Sequence, residues 1–206
     1  MSEWPASHRF ELATAPGGLG FVHDFLNTAD EPDLLADTTL AQDWLAGAVP
    51  TWAELRGVPA EPPAVTGADL PKLRALRATI AQLVRGEAPG TAPISASLAV
   101  SENGEVRLEP AGSGWRWLAS ALWGEILLSQ QAGTWRRLKQ CHNHPCESTF
   151  YDRSKNNSGV WCSVKTCGNV ANLRASRARR RERERAAEDG RLSPAPGAGA
   201  AGRAPN

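Results

Sequence analysis

Along the first two-thirds of the chain, apolar side chains recur at helical spacing. Phe21, Val22, Phe25 and Leu26 put one apolar face on the segment 20–27. Asp37 and Thr38 supply cap chemistry for a helix through Leu40, Trp44 and Leu45, which Gly47 and Pro50 are expected to end. Thr51–Arg56 reads as a second, short helix, and Pro59–Pro63 as a loop. Asp69 and Pro71 open a longer helix whose stripe is Leu73, Leu76, Ile80, Leu83 and Val84, with Gly86 at its end. Ser97–Val100 and Glu105–Leu108 flank Ser101-Glu102-Asn103-Gly104, the pattern of a β-hairpin. Trp115–Gln131 is helical again, and Leu118, Leu122, Ile126 and Leu127 lie in a stripe broad enough to be buried on more than one side.

Composition adds little until it is divided along the chain. The net charge of the 206 residues is +1, yet residues 1–135 carry 8 Lys+Arg against 16 Asp+Glu, while residues 136–185 carry 13 against 4. An acidic body joined to a basic end is the asymmetry expected when one part meets a polyanion; the alternative is that the basic end docks on the acidic body itself. The first residues, MSEWPASHRF, contain no apolar core of a secretory signal, and no apolar run is long enough for a membrane span. The expectation is a cytoplasmic protein without a membrane partner, in a compartment where clustered thiols bind metal more often than they form disulfides.

All four cysteines fall within 27 residues, as Cys141-x4-Cys146-x15-Cys162-x4-Cys167. Two short knuckles separated by a hairpin-sized spacer is the layout of a structural Cys₄ Zn²⁺ site, because a tetrahedral ion takes two thiolates from each knuckle and leaves no open position for substrate. Thr149-Phe150-Tyr151 and Val160-Trp161 are the expected strands of the intervening hairpin, with Asn156-Asn157-Ser158-Gly159 as its turn. His142 and His144 lie inside the first knuckle, either as alternative ligands or as exposed loop residues. Two disulfides, or a thiol redox switch, are the competing readings of the same cysteines.

Gly168 is placed to close the second knuckle by a left-handed turn, and Asn169 to cap a helix beginning at Val170. Arg174, Arg177, Arg180, Arg181 and Arg185 recur along that helix, with Arg179 and Arg183 broadening the basic surface and Glu182 and Glu184 offsetting part of it. Guanidinium groups so arranged suit phosphate. Arginine outnumbers lysine 19 to 4 over the whole chain, so a merely solvated face is the other reading.

The segment Cys141–Arg181 resembles the CGNR zinc finger, through its four cysteines, Asp152-Arg153-Ser154, Trp161-Cys162 and Cys167-Gly168-Asn169. The part before it resembles the ABATE domain, through His23-Asp24-Phe25-Leu26-Asn27-Thr28, Leu40 to Leu45 around Trp44, and Trp123-Gly124-Glu125-Ile126-Leu127-Leu128. The resemblance implies a bacterial, stress-linked transcription regulator whose finger binds DNA. Two positions depart from the family pattern: Val170 stands where Arg is usual, and Gly159-Val160 where basic residues usually precede the Trp. The DNA contacts are therefore expected from Arg153, Lys155, Lys165, Arg174, Arg177, Arg180 and Arg181.

The expected architecture is mainly α with a small β-hairpin (α+β), ending in a Cys₄ zinc hairpin and a basic helix. It divides into a flexible arm at 1–17, an ABATE-like helical domain at 18–135, the finger with its helix at 136–185, and a disordered Ala/Gly/Pro-rich tail at 186–206. Asp24, Asn27 and Thr28 either line a ligand pocket or tie down their own segment by capping. Seven tryptophans precede the finger and serve core packing, a dimer surface or an aromatic pocket. Nothing in the chain announces an enzyme. The leading expectation is a zinc-dependent DNA-binding regulator sensing a small-molecule or protein effector; the alternative is a zinc-stabilised protein-interaction module.

Overall fold

The computed structural model describes residues 4–90, 93–143 and 146–192. It is an α+β arrangement of six helices and two separate two-stranded antiparallel sheets among those residues. By compactness the chain divides between Ser163 and Val164, so Cys141, Cys146 and Cys162 fall in the same unit as the first five helices and Cys167 in the second. None of the described helices is long and apolar enough to cross a membrane.

In the first unit, the described part of the expected loose arm, residues 4–17, is anchored through buried Trp4, Ala6, Ser7 and Ala15. Helix α1 (Pro5–His8) follows a Trp4 that is only 4% exposed, and the Trp4 ring lies where a Cβ on Gly20 would be, 2.7 Å away. Only a glycine lets the arm approach that closely. Helix α2 (Leu19–Leu26) is buried at every position, including His23 and Asp24, and a 3₁₀ turn (Asn27–Ala29) continues it. Phe21 stacks between Trp4 and Trp44, at centroid distances of 6.0 and 6.1 Å, and meets Trp52 at 5.9 Å. Three of the seven early tryptophans thus serve the core.

Helix α3 (Thr38–Arg56) begins as expected, with the Asp37 side chain accepting from Leu40 N at 2.9 Å, but it runs straight through Pro50 to a left-handed Gly57. An interior proline costs a helix about 3 kcal/mol. Trp44, Leu45, Ala48 and Val49 before it, and Trp52 and Ala53 after it, bury one continuous face that offsets the cost. Helix α4 (Leu70–Val84) buries Leu73, Leu76 and Ile80 of its expected stripe, and helix α5 (Trp115–Gln131) buries Leu118, Leu122 and Ile126, while Leu127, expected in the same stripe, is 47% exposed. Strands β1 (Ala96–Val100) and β2 (Val106–Pro110) form the expected hairpin, with Val100 opposite Val106.

Strands β3 (Leu138–Gln140) and β4 (Thr149–Tyr151) form the second sheet. This corrects the strand pairing read from the sequence: β4 pairs with the segment before the first cysteine, not with Val160-Trp161. The register decides it, since Leu138 opposite Tyr151 and Lys139 opposite Phe150 leave Leu138 and Phe150 buried at 2% and 6% exposure.

The second unit contains a π-helical turn (Val164–Gly168), which replaces the left-handed turn expected at Gly168, and helix α6 (Asn169–Leu192). That helix extends through residues 186–192, expected to be disordered. Ala186-Ala187-Glu188 are strong helix formers, and they prolong it. The rest of the proposed tail lies outside the described residues.

Candidate metal centre

The chain positions its cysteines with backbone hydrogen bonds that leave the sulfurs facing one another. Cys141 follows β3, and its N–H donates to Ser148 O at 2.9 Å; a tight turn brings Cys146 N to Asn143 O at 2.7 Å. His142 N donates to Val160 O at 3.0 Å, drawing the second half of the segment toward the first. Cys162 N then lies 3.5 Å from Cys141 Sγ, and the Sγ atoms of Cys146 and Cys162 are 3.5 Å apart. The ligand atoms of Cys141, Cys146, Cys162 and Cys167 all lie within 4.8 Å of one another, and no disulfide joins them. Around a tetrahedral ion with bonds of about 2.3 Å, sulfur atoms sit roughly 3.8 Å apart. A contraction of at most about 1 Å, well within reach of side-chain rotation, closes the site. Four soft donors with no fifth group suit a structural ion of the Zn²⁺ class.

The environment fits that use. Burial pushes the Cys141 thiol up, partly opposed by the Cys162 and Asn143 N–H groups, so loading a cation must release protons and metal affinity falls in acid. The Ser148 hydroxyl lies 3.3 Å from Cys146 Sγ, an outer contact to a ligand sulfur. His142 is not one of the grouped ligands; its ring meets the edge of Trp161 at 6.2 Å. His144 lies outside the described residues.

Behind the knuckles a buried ionic knot shapes the loop 152–159. Asp152, 4% exposed, accepts from Lys139 Nζ at 2.7 Å, Ser154 N at 2.8 Å and Gly159 N at 2.7 Å. Lys139 also donates to Asn157 O and Gly159 O, at 2.7 and 3.0 Å. Burial disfavours the Asp152 carboxylate, but the ammonium and the N–H donors outweigh it and hold its pKa below the usual carboxylate range. Arg137 donates to Asp152 O and Ser154 O, at 3.0 and 2.8 Å. In the sequence Asp152-Arg153-Ser154 stands out only as a family hallmark, and Lys139 not at all. One local signal does point to the loop: an Asp readily accepts from the backbone N–H two residues on, as Asp152 does from Ser154 N.

The residues expected to contact DNA have several different surroundings. Lys155 and Lys165 are exposed. Arg153 is exposed too, but its Nη2 donates to Thr14 O at 2.8 Å, so part of its guanidinium is used to hold the N-terminal segment. Arg174, Arg177, Arg180 and Arg181 are exposed on α6, and Arg180 pairs with Glu184 at 3.3 Å. At about 100° per residue, Arg174, Arg177, Arg181 and Arg185 fall within an arc of roughly 80° along a rod about 36 Å long.

The contacts of Asp24, Asn27 and Thr28 fit the capping reading, on a larger scale. All three are at most 1% exposed. Asp24 accepts from Ser7 N and Trp44 Nε1, both at 2.7 Å. Burial pushes its carboxyl up, and these donors oppose the shift. The Thr28 hydroxyl donates to Phe25 O at 2.6 Å and accepts from Arg77 Nη1 at 2.9 Å. Asn27 reaches instead to β4: its Oδ1 accepts from Thr149 N at 2.9 Å and its Nδ2 donates to Thr149 O at 3.1 Å.

Residues 137–180 match the family model of the CGNR zinc finger. The matched range opens in the basic pair before β3, covers all four cysteines and ends in α6, so it includes the sulfur cluster and the knot around Asp152. No curated protein matches the chain.

Proposed function

We propose that the chain is a zinc-dependent DNA-binding transcriptional regulator, with binding and not catalysis as its output. The observation that carries the reading is the exposed arginine face of α6, whose helix begins two residues after the last cysteine. A bound Zn²⁺ would supply structural cross-linking only: its four thiolates are Cys141, Cys146, Cys162 and Cys167. The arginines of α6 then act as phosphate ligands, with Lys155 and Lys165 as further cationic groups. Val170 leaves the start of α6 without the cation usual in the resembled family, which places the phosphate contacts further along the helix, from Arg174 onward.

For the effector-sensing role we assign a cavity in the first unit. It has a volume of about 460 Å³ and lies between the β1–β2 hairpin and the α3–α4 connection, with Trp52, Val58, Ala60, Arg107 and Trp117 among its lining. Its Trp rings stand beside Glu61, Glu109 and an Arg107 already paired with Glu105, a mixed lining that suits a small ligand with an apolar body and a cationic or donor group.

The test is DNA binding by the metal-loaded full-length chain across a salt series. Affinity should fall steeply with salt, and R174A with R177A should weaken binding and lower the log–log slope by about two, one unit for each phosphate that is no longer neutralised. Binding that is absent, or indifferent to salt, refutes the proposal.

A further inference from the structure

The strongest unexplained arrangement in the molecule is the clasp between helix α2 and strand β4. It joins residues more than 120 positions apart, all within the first compact unit. Asn27 grips both backbone polar groups of one residue, accepting from Thr149 N at 2.9 Å and donating to Thr149 O at 3.1 Å, as a neighbouring strand would. His23 Nε2 meets the same carbonyl at 2.8 Å, while its Nδ1 accepts from Ala15 N at 3.2 Å. The Ala15 N–H needs a lone pair on Nδ1, so the proton sits on Nε2, and His23 Nε2 and Asn27 Nδ2 both donate to Thr149 O. Asn27 Nδ2 is itself within 3.3 Å of Ser7 Oγ, and His23 and Asn27 are 0% and 1% exposed.

Thr149 is one residue from Ser148, and Ser148 touches both ligands of the first knuckle. Its carbonyl accepts from Cys141 N at 2.9 Å, and its hydroxyl lies 3.3 Å from Cys146 Sγ and 3.3 Å from Asp30 Oδ2. Fixing Thr149 therefore fixes the spacing of two of the four sulfurs. We propose that Asn27 and His23 are positioning residues for the metal: the helical body, through Thr149, holds Cys141 and Cys146 at ligand spacing before the ion arrives. The finger is then not an autonomous module, and metal binding and packing of the body stabilise each other. The proposal rests on the four-cysteine site holding a metal but is independent of DNA binding.

The experiment is competition for zinc between a chromophoric chelator and the full-length chain. N27A should lower zinc affinity about tenfold, the low end of the loss on removing a direct outer partner of a metal ligand, because Asn27 acts through Thr149 and Ser148. N27D, which keeps the acceptor for Thr149 N but sets a second carboxylate oxygen against Thr149 O, should lose at least as much as N27A. T28V is the control for general destabilisation: Thr28 is equally buried beside Asn27 but bonds to Phe25 and Arg77, not to β4, so its zinc affinity should stay within about twofold of wild type at whatever melting temperature it shows. The rise in melting temperature on zinc loading should also be smaller in N27A than in wild type. Wild-type affinity in N27A and N27D overturns the proposal, and so does an equal loss in T28V. A wild-type chain that takes up no stoichiometric zinc removes the metal centre itself, a separate and earlier failure.

Discussion

Substituting Gly159 by alanine isolates the contribution of the Asp152 knot. Gly159 does not adopt a positive φ, so the substitution brings no conformational strain. Its cost is steric: a Cβ there would lie 2.8 Å from Asp152 Oδ1, 2.9 Å from Cγ and 3.1 Å from Oδ2. The carboxylate cannot simply swing away, because Lys139 Nζ and two backbone N–H groups hold it and it is 4% exposed. Relieving the overlap means giving up at least one charge-assisted hydrogen bond, worth about 1.5–3 kcal/mol. We expect G159A to destabilise the first unit by about 2 kcal/mol, which for a chain of this length lowers the melting temperature by roughly 4–8 °C. Calorimetry on zinc-loaded protein reads it. The same substitution in a D152A background should cost less than about 0.5 kcal/mol, because the methyl then enters vacated space. A G159A melting point equal to wild type, or an equal loss in the D152A background, refutes the reasoning.

Acidification should act through His23, whose burial, opposed by the Thr149 carbonyl, lowers its pKa to about 4. The unfolded chain takes that proton below about pH 6.5, the folded chain only near pH 4, so stability is lost as pH falls through this window, by on the order of 3 kcal/mol in total. Urea titrations of wild type and H23Q at about pH 7 and about pH 4.5 should show the smaller drop in the variant; parallel drops would count against His23. Glu125 is 3% exposed and accepts from Trp52 Nε1 at 2.7 Å and Arg56 Nε at 2.6 Å, with Arg56 Nη2 on its other oxygen. E125A strands both donors, and because the Arg56 side chain is 34% exposed and can turn to water, the loss should be roughly 2–3 kcal/mol, below the full cost of a broken buried pair. Chemical denaturation checks it, and a loss under about 1 kcal/mol would show that solvent replaces the carboxylate.

Much of the architecture was legible from local pattern. Helices α4 and α5 carry their own apolar stripes, and the 3.6-residue period alone places Leu73, Ile80, Leu118 and Leu122 in the core. The four cysteines are legible for a similar reason: two of them lie on each short knuckle, so spacing nearly determines that they meet. Pro50 misleads because a local breaker is weighed without the tertiary face, Trp44 to Ala53, that overrides it. The strand pairing misleads because turn chemistry at 156–159 suggests a hairpin there, whereas Asp152 uses that loop to wrap Lys139.

The sequence by itself determined the elements whose energy comes from neighbours a few residues apart: helical stripes, the Asp37 cap, the β1–β2 turn, the cysteine knuckles and the concentration of arginine after them. Only the tertiary structure decided where His23 and Asn27 find their partner. That partner, Thr149, presents a peptide group, which every residue possesses, so no side-chain pattern could mark it. Bonds between a side chain and a distant backbone leave no periodic trace in the chain, and here they are the bonds that join the helical body to the first cysteine knuckle.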